Sequence, residues 1–82
     1  MSDPDKLVIN ALGMRCPRPI VELAKARRRA LPATLVEITA DDLAFESDVR
    51  AWCETTESTL LTLTKEGDLV HAVIRLTPEK AA

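Results

Sequence analysis

Apolar residues fall along this chain in two rhythms. Leu7, Val8, Ile9 and Ala11 make a short apolar run that Leu12 and Gly13 bring to an end, which predicts a buried strand over residues 7–11 followed by a turn. From Ile20 the spacing lengthens. Ile20, Leu23, Ala24, Ala30 and Leu31 gather on one helical face while Glu22, Lys25, Arg28 and Arg29 take the other. Arg27 falls on the apolar side, where its stem is expected to pack and its head to rise to solvent. Pro32 is expected to end this helix, because its ring cannot continue the hydrogen-bond ladder. Residues 34–40 alternate, with Val36, Ile38 and Ala40 on one face, and predict a second strand. Asp41 and Asp42 follow as turn and helix cap. Phe45, Val49, Trp52 and Cys53 then recur at i, i+4, i+7 and i+8, with Glu46, Asp48, Arg50 and Glu54 pointing elsewhere, which predicts a second helix. Two more apolar runs, residues 58–65 and 69–76, flank Glu66, Gly67 and Asp68 and read as a hairpin.

The order β-α-β-α-β-β makes the first two strands parallel through a right-handed crossover and the last two antiparallel. Two amphipathic helices suffice to cover one face of such a sheet. The expected fold class is α/β: a two-layer sandwich with a mixed four-stranded sheet and both helices on one face. Residues 1–82 are read as one domain, with 1–6 and 77–82 as flexible ends.

Composition narrows what such a domain can do. With 82 residues the core is small, and with only Phe45 and Trp52 aromatic it must be filled by Leu, Val, Ile and Ala. A formal net charge of -2 offers neither a strong field for nucleic acid nor a basic face for membranes. The polar, acidic start of the chain has no secretory pattern, and no apolar run approaches membrane-spanning length. Cys16, Cys53 and the lone His71 form neither a CxxC pair nor a zinc set, so no metal or other cofactor is expected. Two free thiols fit a reducing cytoplasm.

The chemistry available centres on Cys16, in the segment Met14, Arg15, Cys16, Pro17, Arg18, Pro19. Pro17 suits the first position of a helix, which sets Cys16 at the cap, where the helix dipole favours a thiolate. Arg15 and Arg18 add positive charge, so the thiol is expected below its ordinary pKa. Pro17 and Pro19 lack amide hydrogens, which leaves the amides of Arg18 and Ile20 to face the sulfur. No histidine, carboxylate or second cysteine lies nearby in sequence to act as base or resolving partner. Residue chemistry alone leaves two readings open: an activated thiol for group transfer between proteins, or a cysteine that only caps a helix or fills space.

The segment Asn10, Ala11, Leu12, Gly13, Met14, Arg15, Cys16, Pro17, Arg18, Pro19 resembles the TusA/SirA-like family of sulfur carriers, whose mark is Cys-Pro-x-Pro after a first strand and a glycine turn. The likeness runs on through residues 40–45 and 48–53 and into the hairpin, so it covers nearly the whole chain. The resemblance implies a two-layer sandwich whose motif cysteine takes sulfane sulfur as a persulfide and relays it. The donor would be a cysteine desulfurase or rhodanese-like protein and the recipient an acceptor protein of a sulfur relay. This is sulfurtransferase activity in the carrier sense, serving tRNA thiolation, cofactor sulfuration or sulfur oxidation in different members. Cys16 carries over as the sulfur-bearing residue, with Pro17 and Pro19 as conformational supports; Arg15 and Arg18 support the motif as flanking charges on residue chemistry alone. Asn10 stands where members often carry Asp, and Leu43 where many carry Pro. The first departure puts in doubt any control of the thiol through an aspartate at that position.

Other residues receive plainer readings. Cys53 sits on an apolar stripe and reads as a buried structural thiol rather than a second sulfur site. His71 reads as a surface or cross-strand residue, Trp52 as core, and Arg27, Arg28 and Arg29 as a solvated helix end or a docking surface for an acidic partner or tRNA phosphate. A carrier that meets successive partners is expected to be a monomer, with direct nucleic-acid binding not expected. The rival readings are a non-covalent regulatory or RNA-binding module on the same scaffold, and a thiol redox sensor.

Overall fold

In the computed structural model, residues 6–29 and 34–77 are described. They form β1 (Lys6–Ala11), α1 (Arg18–Arg29), β2 (Leu35–Ala40), α2 (Phe45–Thr56), β3 (Thr59–Glu66) and β4 (Leu69–Arg75). β1 and β2 run parallel, in register from Lys6 opposite Leu35 to Ala11 opposite Ala40, with α1 as the crossover between them. β4 lies antiparallel to both β2 and β3, so the strand order is β1-β2-β4-β3. The result is the mixed four-stranded α/β sheet that the element order predicts. Leu61 is the extra residue of a bulge, since the register of β3 against β4 slips between Leu60 and Thr62.

Strand alternation decides which face the helices cover. Ala11, Val36, Ile38, Ala40, Val70, Ala72 and Ile74 point to one side and are buried. Register places them side by side, with Val36 opposite Ile74, Ile38 opposite Ala72 and Ala40 opposite Val70. α2 brings Phe45, Val49 and Cys53 onto this layer as its stripe predicts. α1 buries Pro19, Leu23 and Ala26. Its stripe is therefore turned from the expected one: Ile20 and Ala24 are half-buried, and Ala30, Leu31 and the terminating Pro32 lie outside the described residues. Arg27 does not lift its head to solvent; its Nε donates to the Thr77 carbonyl at 2.8 Å, tying α1 to the chain beyond β4.

The opposite face of the sheet stays open. Val8 on it is 75% exposed, and Lys6 and His71 both pair with Glu37 there, His71 Nε2 lying 3.3 Å from Glu37 Oε1. Lys6 above all holds the Glu37 carboxyl below the ordinary range. His71 thus sits as a cross-strand neighbour. Of the ends read as flexible, residues 1–5 and 78–82 lie outside the described residues. Lys6 opens β1, and Thr77 is held by Ser58 Oγ at 3.2 Å and by its own hydroxyl on the Glu57 carbonyl at 2.7 Å.

Candidate functional site

Because α1 and α2 each follow one of two adjacent parallel strands, both helices start at the same end of the sheet, the place where open α/β sheets hold their chemistry. The loop after β1 is fixed there by three bonds. Asn10 Oδ1 accepts from the Leu12 amide at 3.0 Å, the Met14 amide donates to the Ala11 carbonyl at 3.2 Å, and the Gly13 amide donates to Asp41 Oδ1 at 3.0 Å. The last bond ties the loop to the end of β2. An aspartate at position 10 could accept the same bond, so asparagine keeps the geometry while adding no charge. Gly13 has φ 79, in the left-handed region where a side chain costs energy. A Cβ there would meet no neighbour, so the cost is conformational alone. Gly13→Ala is expected to lose about 1–2 kcal/mol, read as an earlier urea midpoint; an unchanged midpoint would show that the loop relaxes freely.

Of the turn-and-cap role expected of Asp41 and Asp42, only the turn is found. Asp42 accepts from the Ala44 amide through Oδ2 at 3.3 Å and from the Phe45 amide through its carbonyl at 3.0 Å, which makes a turn. The cap of α2 is Ala44, with no side-chain capping bond. Asp41 instead braces the Cys16 loop.

Cys16 is exposed and lies one residue further out than the cap. α1 begins at Arg18, and the Pro17 carbonyl accepts its first bond, from the Val21 amide at 3.0 Å, so Pro17 holds the cap position. The Cys16–Pro17 peptide is cis, and the Arg18 amide closes the turn on the Arg15 carbonyl at 2.8 Å. That bond takes Arg18 out of the pair of amides expected to face the sulfur. Pro19 is buried and anchors the motif, while Arg15 and Arg18 are exposed.

The groups acting on the thiol are acidic. Cys16 Sγ donates to Asp48 Oδ2 at 3.2 Å, from the first turn of α2. This hydrogen bond chiefly, with partial desolvation and the negative charges of Asp48 and Asp42, holds the thiol above its ordinary pKa. The expectation of a depressed pKa is thus reversed: a carboxylate in hydrogen-bond contact outweighs exposed arginines and a helix dipole whose end lies beyond Pro17. Around the pair runs an open groove of about 340 Å³, floored by Pro17, Ile20, Ala51, Trp52 and Thr55. Trp52 is half-buried, one part against the core and one lining this groove. Cys53, next to it, is 5% exposed and raised in pKa by burial.

Sequence reading missed Asp48, which lies 32 positions from Cys16. The available signal was topological. Helices after adjacent parallel strands start together, so the first polar residues of α2 were the ones to set beside Cys16.

The described residues thus form a two-layer sandwich with one exposed thiol at the shared start of its helices. The chain belongs to the TusA sulfurtransferase family, whose match spans residues 7–76. It is 35% identical over 63 residues to YrkI of Bacillus subtilis (strain 168), which bears a sulfur-carrier name, covering 77% of this chain and 84% of that one. It is 30% identical over 69 residues to YrkF of the same organism, which bears a similar name, covering 84% of this chain but only 37% of that longer protein. Membership gives the chain a role in sulfur transfer, in contact with proteins that give sulfur and take it. No helix among the described residues is long and apolar enough to cross a membrane.

Proposed function

We propose that the protein is a cytoplasmic, monomeric sulfur carrier in which Cys16 holds sulfane sulfur as a persulfide. The carrying observation is the contrast between its two thiols: Cys16 stands exposed in an open groove at the helix starts, and Cys53 is buried in the core. In loading, the Cys16 sulfur attacks the outer sulfur of a donor persulfide. The new S–S bond forms as the donor's breaks, and the donor sulfur leaves as a thiolate that takes up the proton Cys16 gives up. Unloading repeats the exchange with an acceptor cysteine as nucleophile, so no external oxidant or reductant enters. Cys16 needs no resolving thiol of its own. A cysteine desulfurase or a rhodanese-like protein is the class of donor that supplies such sulfur. Pro17 and Pro19 fix where the sulfur is presented.

Intact-mass measurement after incubation with a cysteine desulfurase and free cysteine tests this. The wild type and Cys53→Ala are expected to gain the mass of one sulfur atom, reversibly under reductant, and Cys16→Ala to gain none. Sulfur gained by Cys16→Ala and lost in Cys53→Ala would overturn the assignment.

A further inference from the structure

We infer that Asp48 is a positioning residue that restrains the Cys16 sulfur in the free carrier, accepting its proton-bearing hydrogen bond and releasing the sulfur when a partner's cation neutralises the carboxylate. This deepens the reading of Cys16 as the sulfur-bearing residue and rests on it. Three observations carry the inference. Sγ lies 3.2 Å from Asp48 Oδ2, so sulfur and carboxylate share one proton. Among the described residues no ion pair engages Asp48, although Glu46 in the same turn pairs with both Arg50 and Lys65. Both Cys16 and Asp48 line the same open groove, so a docking protein reaches them together.

The charged groups around the sulfur are few. Asp48 faces it from α2, Asp42 adds negative charge from the loop after β2, and Arg15 and Arg18 are its exposed chain neighbours. A carboxylate at this distance disfavours thiolate, because ionising the sulfur both breaks the bond and sets two negative charges side by side. A lysine or arginine from a docking protein would pair with Asp48, withdraw that penalty and leave the sulfur free to ionise. The partner surface that fits is therefore basic at the point nearest the groove. The device leaves the carrier quiet toward stray electrophiles and reactive once docked. Atoms and electrons balance without Asp48 changing state over the cycle: it begins and ends as a carboxylate, and the thiol proton goes to the departing donor sulfur.

The test is the pH profile of Cys16 alkylation by iodoacetamide in the full chain, followed by mass. Asp48→Asn is expected to move the midpoint to lower pH and to speed alkylation at pH 7 by about threefold, the gain in thiolate exceeding the accompanying loss of nucleophilicity. Asp42→Asn, which removes charge but no hydrogen bond to the sulfur, is expected to move it less. Slow modification of Cys53 in the same samples confirms that each variant is folded; if Asp48→Asn fails that check, Asp48→Ser is read in its place. A midpoint that stays or rises on loss of Asp48, or an equal or larger effect from Asp42→Asn, overturns the inference. The titration reads this restraint whether or not Cys16 takes up sulfur, so its failure is distinguishable from failure of the mass test.

Discussion

Replacing Phe45 by alanine is expected to cost about 3–5 kcal/mol of folding free energy, the largest loss from any single truncation in this domain. Phe45 is 1% exposed and heads the fully buried side chains by size. It also opens α2, whose cap, Ala44, contributes no side-chain bond. The start of that helix is therefore held by Phe45 packing against the sheet together with the Asp42 turn, with no side-chain bond from the cap itself. The other end of α2 is secured independently. Glu57 adopts φ 59, and the Ser58 amide returns to the Cys53 carbonyl at 2.9 Å. A domain of this size holds about 4–12 kcal/mol in total at ~0.05–0.15 kcal/mol per residue, so the variant should sit near the edge of folding. Urea denaturation is the measurement. With a slope of ~1 kcal/mol/M for so small a chain, the midpoint should fall by about 3–5 M or the transition should vanish. A loss under about 1 kcal/mol would mean that the core closes over the void. Because Asp48 and Trp52 ride on the same helix, a loosened start of α2 should also widen the Cys16 groove.

The elements were legible because each carries a single period over its length. Val36, Ile38 and Ala40 mark β2 by alternation alone, and Phe45, Val49 and Cys53 mark α2 by the helical repeat. α1 was read less well. Its expected stripe, Ile20, Leu23, Ala24, Ala30 and Leu31, shares Leu23 with the buried face, whereas a proline in its first turn, Pro19, and Ala26 supply the rest of that face. Proline at a helix start reads as conformational punctuation, and its apolar ring is easily left out of the stripe. Arg27 went the same way: its place on the apolar side was visible, but the carbonyl that receives its head belongs to Thr77, 50 positions away.

The site divides along the same line. That Cys16 stands at the start of a helix, exposed, follows from local rules about glycine turns and prolines. What sets its chemistry does not, because the decisive group comes from α2 and depends on how two helices pack over one sheet. Local charges, Arg15 and Arg18, pointed toward an acidified thiol. The assembled site places Asp48 in contact and Asp42 nearby, and contact wins, since interaction between charges falls with distance and exposed side chains are screened. The Asn10 departure from the family pattern fits this account: the loop bond to Leu12 is kept, while the carboxylates that act on the sulfur come from elsewhere.

Cys53 gives the second large effect. It shares the core with Val49 and Phe45, is 5% exposed and has its thiol pushed up by burial, so in the folded chain neither a reagent nor a donor persulfide reaches it. Modification must wait for an opening of the structure. If that opening costs about 4 kcal/mol, near the lower bound for a stable domain, Cys53 should react about a thousandfold more slowly than in the unfolded chain. Cys16 is exposed and only restrained by Asp48, an effect of a few-fold. The ratio of the two alkylation rates under native conditions, resolved by peptide mass, should therefore stay near three orders of magnitude, and should collapse toward one in 8 M urea. Rates within about tenfold of each other in the native protein would show that the core opens readily. Two thiols would then be available to sulfur, and the contrast on which the carrier assignment rests would be lost.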